Sequence, residues 1–304
     1  MTFLLIHVIL SEVGIIGVKE LKKLSKKQLA ANRIDEHIQI FKCPICHKSM
    51  SLKDETQLTC SNNHMYDLAK QGYLNMVQQG KKSQYDQSLF QARQRLIKSG
   101  FYHKLLNQLE MILKNQSTHY ILDAGCGEGS HLSSLLERVN YSMGIGIDLA
   151  KEGIQTAAKG DEQGQWIVAD IANTPFKDQA FNFILNILSP SNYDEFKRLI
   201  KDDGIIIKVV PGANYLKEIR EQIFEGTEQI DYSNEQTIKR FEEAFQLKQR
   251  ENITDYVSLS EEQFHDLIHM TPLTQDAELE AIHFVDQVTI DLEVLVGQKI
   301  NQTY

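Results

Sequence analysis

The sequence lacks the material for several kinds of protein. Four cysteines in 304 residues do not make a disulfide framework. Three of the four fall in one stretch, where any pairing leaves a thiol over, and no secretory context accompanies them. No apolar run reaches the eighteen or so residues that cross a bilayer. Met1–Leu10 is apolar, but it has no basic flank before it and no small-residue cleavage site after it. A signal peptide is therefore not expected. There is no internal repeat and no low-complexity tract. An overall basic charge, the usual mark of a nucleic-acid binder, is missing too: the formal net charge is −9. What remains is an ordinary globular composition, long enough for about two domains.

What the sequence does have is a metal pattern. Cys43-Pro-Ile-Cys46 is followed, after thirteen residues, by Cys60-Ser-Asn-Asn-His64. A C-x-x-C turn aims two sulfurs at one point, and C-x-x-x-H does the same for a sulfur and a ring nitrogen. Cys43, Cys46, Cys60 and His64 are thus expected to bind one tetrahedral Zn²⁺. Four protein ligands leave no open position, so such a zinc holds a fold and does not activate water. Zinc-bound thiolates also fit a reducing compartment, and a cytoplasmic protein is expected.

Charge is split along the chain. Residues 1–105 carry sixteen Lys+Arg and eight Asp+Glu, a balance of +8, and the remainder stands at −17. An acidic protein still binds nucleic acid where its basic groups cluster, because phosphate contacts are local. Lys42, Lys48, Lys53, Lys70, Lys81, Lys82, Arg93, Arg95, Lys98 and Lys104 surround the metal pattern in sequence. A solvated basic surface without a partner has the same composition.

Periodicity gives the layout. Val18–Glu36 reads as a charged amphipathic helix outside the main fold. Gln78–Gln87 reads as a polar linker, and Ser88–Lys114 as two helices broken at Ser99–Gly100. From Tyr120 short apolar strands alternate with helices up to Ile223, which means a parallel sheet covered on both faces. Ala281–Val285 and Val288–Val296 read as antiparallel edge strands.

The first strand of the alternation runs into Asp123-Ala-Gly125-Cys-Gly127-Glu128-Gly129, and a helix follows. Glycines there let the backbone approach a ligand and turn sharply. A pyrophosphate would sit badly beside Asp123 and Glu128, whereas a sulfonium with a free amino group would sit well. Asp148 ends the second strand, where a carboxylate can accept both ribose hydroxyls. Asp170 ends the third, where a carboxylate can accept from an adenine amino group. Cys126 reads as a small tolerated residue of the loop. The arrangement resembles the class I S-adenosylmethionine-dependent methyltransferases.

The resemblance narrows. Cys43-Pro-Ile-Cys-His and Cys60-Ser-Asn-Asn-His-Met-Tyr-Asp-Leu-Ala-Lys-Gln-Gly-Tyr-Leu-Asn closely resemble the zinc module of the 23S rRNA (guanine-N1-)-methyltransferases. The similarity continues through Gln91-Ala-Arg, Ser99-Gly-Phe-Tyr-His, Pro175-Phe, Ser189-Pro190, Val210-Pro-Gly-Ala-Asn and Met270-Thr-Pro-Leu. It implies an α/β fold: a Rossmann-like class I methyltransferase domain, with a mostly parallel seven-stranded sheet and a small N-terminal zinc-binding domain. It divides the chain into an extension (1–37), a zinc-binding RNA-recognition module (38–77), a linker and helical region (78–114) and a methyltransferase domain (115–304). It implies S-adenosylmethionine and structural zinc as cofactors, a 23S rRNA hairpin as substrate, no membrane and a homodimer. By the same resemblance Tyr102, Gly127, Glu128 and Tyr215 border the methyl donor. Family members often carry His where this chain has Tyr215, and a phenol cannot titrate near neutral pH as imidazole does. Leu273-Thr-Gln stands where some members have an aromatic pair. Met1–Val18 is an unusual extension, consistent with a start at Val18.

The implied reaction is methyl transfer to guanine N1. Asn186, Ser189 and the Pro190 carbonyl lie where related enzymes place their target base, and they are the candidates for orienting a flipped guanine. A plain strand-to-helix loop is the other reading of that segment. Two further functions share these motifs: a zinc-containing methyltransferase of a small molecule or antibiotic, and a catalytically inactive RNA-binding adaptor. The basic zinc arm speaks against the first, and the intact Asp123, Asp148 and Asp170 against the second.

Overall fold

A computed structural model describes residues 24–77, 86–114, 120–224, 232–275, 277 and 282–300. The extension Met1–Val18 and nearly all of the expected linker, including Lys81 and Lys82, lie outside the described residues.

Helix α1 (Lys26–Glu36) starts at a capping box between Ser25 and Gln28. It is not outside the main fold, as its charged pattern suggests. Ala30, Ala31 and Ile34 are buried. Lys26 Nζ donates to the carbonyls of Ala158 and Lys159 at 3.1 and 2.6 Å. Arg33 donates to the carbonyls of Gly164, at 2.8 Å, and Glu162. Two of its cations therefore cap backbone rather than face water.

The metal pattern lies on a three-stranded antiparallel sheet, β1 (Met50–Lys53), β2 (Gln57–Cys60) and β3 (Met65–Asp67). A two-residue strand follows, β4 (Leu74–Asn75). Helices α2 (Gln87–Lys98) and α3 (His103–Leu113) flank the expected break, where Gly100 adopts φ 94°.

The alternation then proceeds as expected: β5 (Tyr120–Ala124), α4 (Ser130–Leu136), β6 (Met143–Asp148), α5 (Lys151–Gly160), β7 (Gln165–Val168), β8 (Phe181–Ile187), α6 (Tyr193–Leu199), β9 (Ile200–Pro211) and α7 (Lys217–Ile223). After α8 (Glu235–Ala244) come β10 (Gln246–Ser258), α9 (Glu261–Met270) and β11 (Gln287–Gln298). The sheet order is β10-β11-β9-β8-β5-β6-β7-β4. From β4 to β9 all neighbours are parallel, while β11 and β10 run antiparallel. The expected seven-stranded sheet is present, and β4 adds an eighth strand from the zinc arm. Residues 282–285 form no strand. The antiparallel edge partner of β11 is β10, whose polar Gln246–Ser258 stretch gives no apolar run to read.

The zinc arm shares a core with the sheet. Phe41, Met50, Leu58 and Leu68 join Ile145, Ile167, Phe176 and Phe181 in one buried cluster. Phe41 meets Phe176 with ring centroids 5.5 Å apart. Backbone bonds run from Lys42 N to Pro175 O and from Lys177 N to Ile40 O, at 2.9 and 2.8 Å. The arm is thus built into the β7–β8 connection, directly after Asp170.

Candidate active site and metal centre

The four metal candidates meet. Their donor atoms all lie within 4.8 Å of one another. Cys46 Sγ is 3.6 Å from Cys60 Sγ, and His64 Nδ1 is 3.4 Å from Cys43 Sγ and 3.5 Å from Cys60 Sγ. Sulfurs about 2.3 Å from a tetrahedral metal stand about 3.7 Å apart, and mixed S–N pairs somewhat closer. The donor set and its spacing fit Zn²⁺. Burial pushes the Cys60 thiol up, but backbone N–H groups of His64 and Asn62 outweigh it and bring Cys60 down to about 6, toward the thiolate a metal needs. Tyr66 reaches Cys43 Sγ at 3.7 Å from outside the four.

The glycine loop lies between β5 and α4. Gly125, Gly127 and Gly129 all have positive φ (82°, 57° and 78°). A Cβ on Gly125 would meet Ser189 Oγ at 2.6 Å, and one on Gly129 would meet the Trp166 ring at 2.5 Å. The loop is pressed between the only tryptophan and the β8–α6 turn, so a side chain at Gly125 or Gly129 would be both crowded and strained.

Asp148 sits at the end of β6 with its carboxylate held by backbone. Oδ2 accepts from Gly127 N and Oδ1 from Ala150 N, both at 2.8 Å. Each oxygen keeps a lone pair for a ribose hydroxyl. Asp170 Oδ1 accepts from Ala172 N at 2.9 Å and opens a turn closed by Asn173. Asn173 Nδ2 then donates to Pro44 O, inside the C-x-x-C turn, at 3.1 Å. The turn at Asp170 and the metal knuckle are therefore one hydrogen-bonded unit. Tyr102 and Tyr215 share a hydrogen bond of 2.6 Å between their hydroxyls. Burial pushes both phenols up, so both stay protonated at neutral pH.

Among the described residues, several buried polar atoms have no hydrogen-bond partner: Asp123 Oδ1, Glu128 Oε1, both His131 ring nitrogens and Arg93 Nε. All four residues lie on or around the glycine loop. Buried polar groups in a folded protein are nearly always satisfied, so such a group of orphans marks a place for a polar ligand. The carboxylates of Asp123 and Glu128 suit an ammonium and the Arg93 guanidinium suits a carboxylate, so the charged members of the group fit a methionine-bearing donor. Burial raises Asp123 to about 7; Arg93 pulls it down, while Asp148 and Glu128 push it further up. Burial and then Arg93 hold His131 down at about 3, so its ring is neutral.

Arg93 overturns one expectation. It lies against Gly127, with Nε 3.3 Å from Glu128 Oε1 and Glu128 wholly enclosed. It is turned onto the glycine loop and paired with Glu128, rather than standing free on an open basic surface. Two other members of the basic set are ion-paired: Arg95 is bidentate to Asp266 at 2.9 and 2.5 Å, and Lys104 meets Asp255 at 2.8 Å. Lys48, Lys53, Lys70 and Lys98 remain exposed, with Lys48 bonded only to the neutral Asn62 amide. Residue counts do not distinguish a surface lysine from an inward arginine, although Arg93 belongs to the Gln91-Ala-Arg motif.

The β8–α6 segment is braced from below. Asn186 is fully buried. Its Nδ2 donates to Ala124 O, Ser189 Oγ and Pro190 O at 2.8, 2.7 and 2.9 Å, and its Oδ1 accepts from Ser191 Oγ and Lys208 Nζ at 2.7 and 2.6 Å. With both amide ends engaged, Asn186 shapes the loop and has no hydrogen-bonding capacity left for a base. Lys208, 4% exposed, also donates to Ser189 O at 2.5 Å. Burial lowers it to about 8. Leu188 takes φ 50°, a conformation uncommon outside glycine, at the head of the same loop. Neither Lys208 nor His131 carries a signal in the sequence, since a lone polar residue in an apolar run does not reveal where it points.

Comparison with known proteins agrees with this geometry. Residues 41–84 match the zinc-ribbon family described as RlmA, N-terminal, and residues 121–204 match a methyltransferase domain family. A Bacillus subtilis protein named as a 23S rRNA (guanine-N(1)-)-methyltransferase is 38% identical over 275 residues, 86% of this chain and 97% of that one. The 23S rRNA (guanine(748)-N(1))-methyltransferase of Streptomyces fradiae is 30% identical over 188 residues, 60% of this chain and 67% of that protein. A phthiotriol/phenolphthiotriol dimycocerosates methyltransferase of Mycobacterium leprae is 25% identical over 137 residues, 44% of this chain and 48% of its own.

Proposed function

Because the chain belongs to the 23S rRNA (guanine-N1-)-methyltransferase family, we propose that it transfers the methyl group of S-adenosylmethionine to N1 of one guanine in a 23S rRNA hairpin. The observation that carries this reading is the union of the Cys₃His ribbon with the turn at Asp170, at the carboxyl end of β7, in one hydrogen-bonded unit. A small-molecule methyltransferase has no use for such an arm. The RNA-recognition role of residues 38–77, the division of the chain into four parts, a homodimer and a cytoplasmic setting are proposed with it. Among the described residues no helix is long and apolar enough to cross a membrane.

The donor supplies a methyl group already activated by its sulfonium, so the protein's task is to align and desolvate. Asp148 is assigned to the ribose hydroxyls and Asp170 to the adenine amino group. Tyr102 and Tyr215, linked through their hydroxyls, close the side of the site next to His131, whose ring centroid is 5.3 Å from that of Tyr102. Ser189 and the Pro190 carbonyl are assigned to the target guanine through their remaining lone pairs, since Ser189 Oγ donates to Ala124 O and both accept from Asn186, on a loop that Asn186 and Lys208 hold in shape. Purified protein incubated with labelled donor and unmodified ribosomal RNA should yield 1-methylguanosine on nucleoside analysis. Label on any other nucleoside, or none, would refute the assignment.

Asp123 gives a pH signature. An ammonium placed beside it favours its charged form, so donor binding lowers its pKa from about 7 and expels a proton. Affinity should therefore fall as pH drops below about 7. Calorimetry at pH 6.5 in buffers of different ionisation heat should report proton release. Buffer-independent heats would remove Asp123 from the ammonium.

The RNA arm gives a salt signature. Charge reversal at Lys48, Lys53 and Lys70 should weaken RNA binding. It should also flatten the salt dependence by about 0.7–0.9 in slope for each phosphate that is no longer neutralised. An unchanged slope would show that these lysines do not touch phosphate.

A further inference from the structure

The acids of the donor loop account for only one end of a methionine-like zwitterion. Asp123 and Glu128 suit the ammonium; the carboxylate needs a cation. Among the described residues two cations bear on Glu128, and only one faces the loop. Arg93 lies over Gly127, its Cζ and Nη1 3.8 and 3.9 Å from where a Cβ would stand, while Lys98 Nζ lies 4.0 Å from the same point on Gly160, at the end of α5. His131 is neutral and cannot serve. We propose that Arg93, which pairs with Glu128, is the residue that binds the α-carboxylate of the methyl donor. The proposal rests on the donor reading above.

The charges around Glu128 show what a zwitterion would meet. Glu128 is wholly enclosed, its Oε2 accepting from Ser130 N and Oγ at 3.0 and 2.5 Å. A buried carboxylate is costly without a cation. Arg93 Nε supplies one at 3.3 Å, but in poor geometry, for neither Nε nor Oε1 completes a hydrogen bond. An incoming zwitterion resolves both. Its ammonium replaces the guanidinium beside Glu128, and its carboxylate takes the planar fork of Arg93, which suits carboxylates in a way an ammonium does not. The four charges then alternate in sign. Arg93 sits on α2, which Arg95–Asp266 and Ser88–His269 tie to α9. The guanidinium is thus presented from a braced helix.

The test uses two ligands that differ only in the carboxylate: S-adenosylhomocysteine and its decarboxylated form, 5′-S-(3-aminopropyl)-5′-thioadenosine. The full-length wild-type protein should bind the first about 30-fold more tightly, the size of one charge-assisted pair of hydrogen bonds. In Arg93→Met the preference should fall to about 3-fold or less, chiefly through weaker binding of S-adenosylhomocysteine. Arg93→Lys keeps the charge and loses the fork, so it should lie between the two; it also decides the matter if the Met variant does not fold. Thermal melting followed by Trp166 fluorescence verifies each variant. A ligand ratio that stays at its wild-type value in both variants overturns the assignment. So does a lower RNA salt slope in Arg93→Met with the ratio unchanged, which would return Arg93 to phosphate. If the wild type binds neither ligand yet still binds RNA, the donor reading itself fails, and this inference with it.

Discussion

Cys60→Ser should strip the protein of its zinc and unfold the arm around it. A hydroxyl is a poor partner for a metal that two thiolates and an imidazole hold, and the remaining three donors leave an open position. The strands of the arm are only three or four residues long. Phe41 and Leu58 anchor the arm in the core of the sheet, but strands this short have little besides the metal to hold the knuckle itself together. Structural zinc in small modules carries about 10–16 kcal/mol of apparent binding energy, which here is largely folding energy of the arm. Metal analysis should therefore find sub-stoichiometric zinc, and limited proteolysis should cut between residues 41 and 68. The sequence alone suggests that the donor domain is spared. The Asn173–Pro44 bond and the Phe41–Phe176 contact change that expectation. Losing the knuckle loosens the turn that begins at Asp170, so affinity for S-adenosylhomocysteine should drop several-fold. Stoichiometric zinc in the variant would refute the ligand assignment. Full donor affinity in a zinc-free variant would refute the coupling.

That coupling is out of reach of the sequence, and the reason is general. β5 to β9 are legible because parallel strands buried on both faces are nearly continuous apolar runs, as in Phe181–Ile187, where only Asn182 and Asn186 interrupt. The metal site is legible because its chemistry lies in short spacings. Asp148 and Asp170 are legible because strand ends in such sheets are where ligands bind. β10 is not, because an edge strand that faces water alternates among polar residues and its pattern resembles a loop. The docking of α1 is not, because Lys26 and Arg33 bond to backbone carbonyls, which every sequence supplies everywhere. Asn186 is legible as a member of the site but not in its role. Its position in sequence is that of a base-binding residue, and only three dimensions show its amide already shared among five partners. The fit of Trp166 likewise depends on Gly129, Gly146 and Gly164, which lie far apart in sequence and meet one indole.

Asp148→Ala should be the most damaging single change to donor binding that leaves the arm intact. In the wild type the carboxylate has two tasks. It presents lone pairs to the ribose hydroxyls, and it accepts from Gly127 N and Ala150 N at 2.8 Å each, which fixes the glycine loop against the start of α5. Alanine ends both. The ribose hydroxyls lose a charged acceptor, and two backbone N–H groups are left to find water in a half-buried site. Hydrogen bonds to charged groups are worth about 1.5–3 kcal/mol each, so the combined loss should be about 2–4 kcal/mol, or roughly 30- to 1,000-fold in affinity. Asp148→Asn should lose nearly as much despite its shape. A single amide oxygen can accept from one of the two N–H groups, and the amide nitrogen then faces the other donor. RNA binding should survive both changes, because the ribbon is held to the sheet through Pro175, Phe176 and β4 rather than through Asp148. Calorimetry with S-adenosylhomocysteine and with NAD separates the alternatives. If NAD binds the wild type and S-adenosylhomocysteine does not, the carboxylate serves a dinucleotide, and the methyl-donor assignment of Asp123 and Glu128 falls with it.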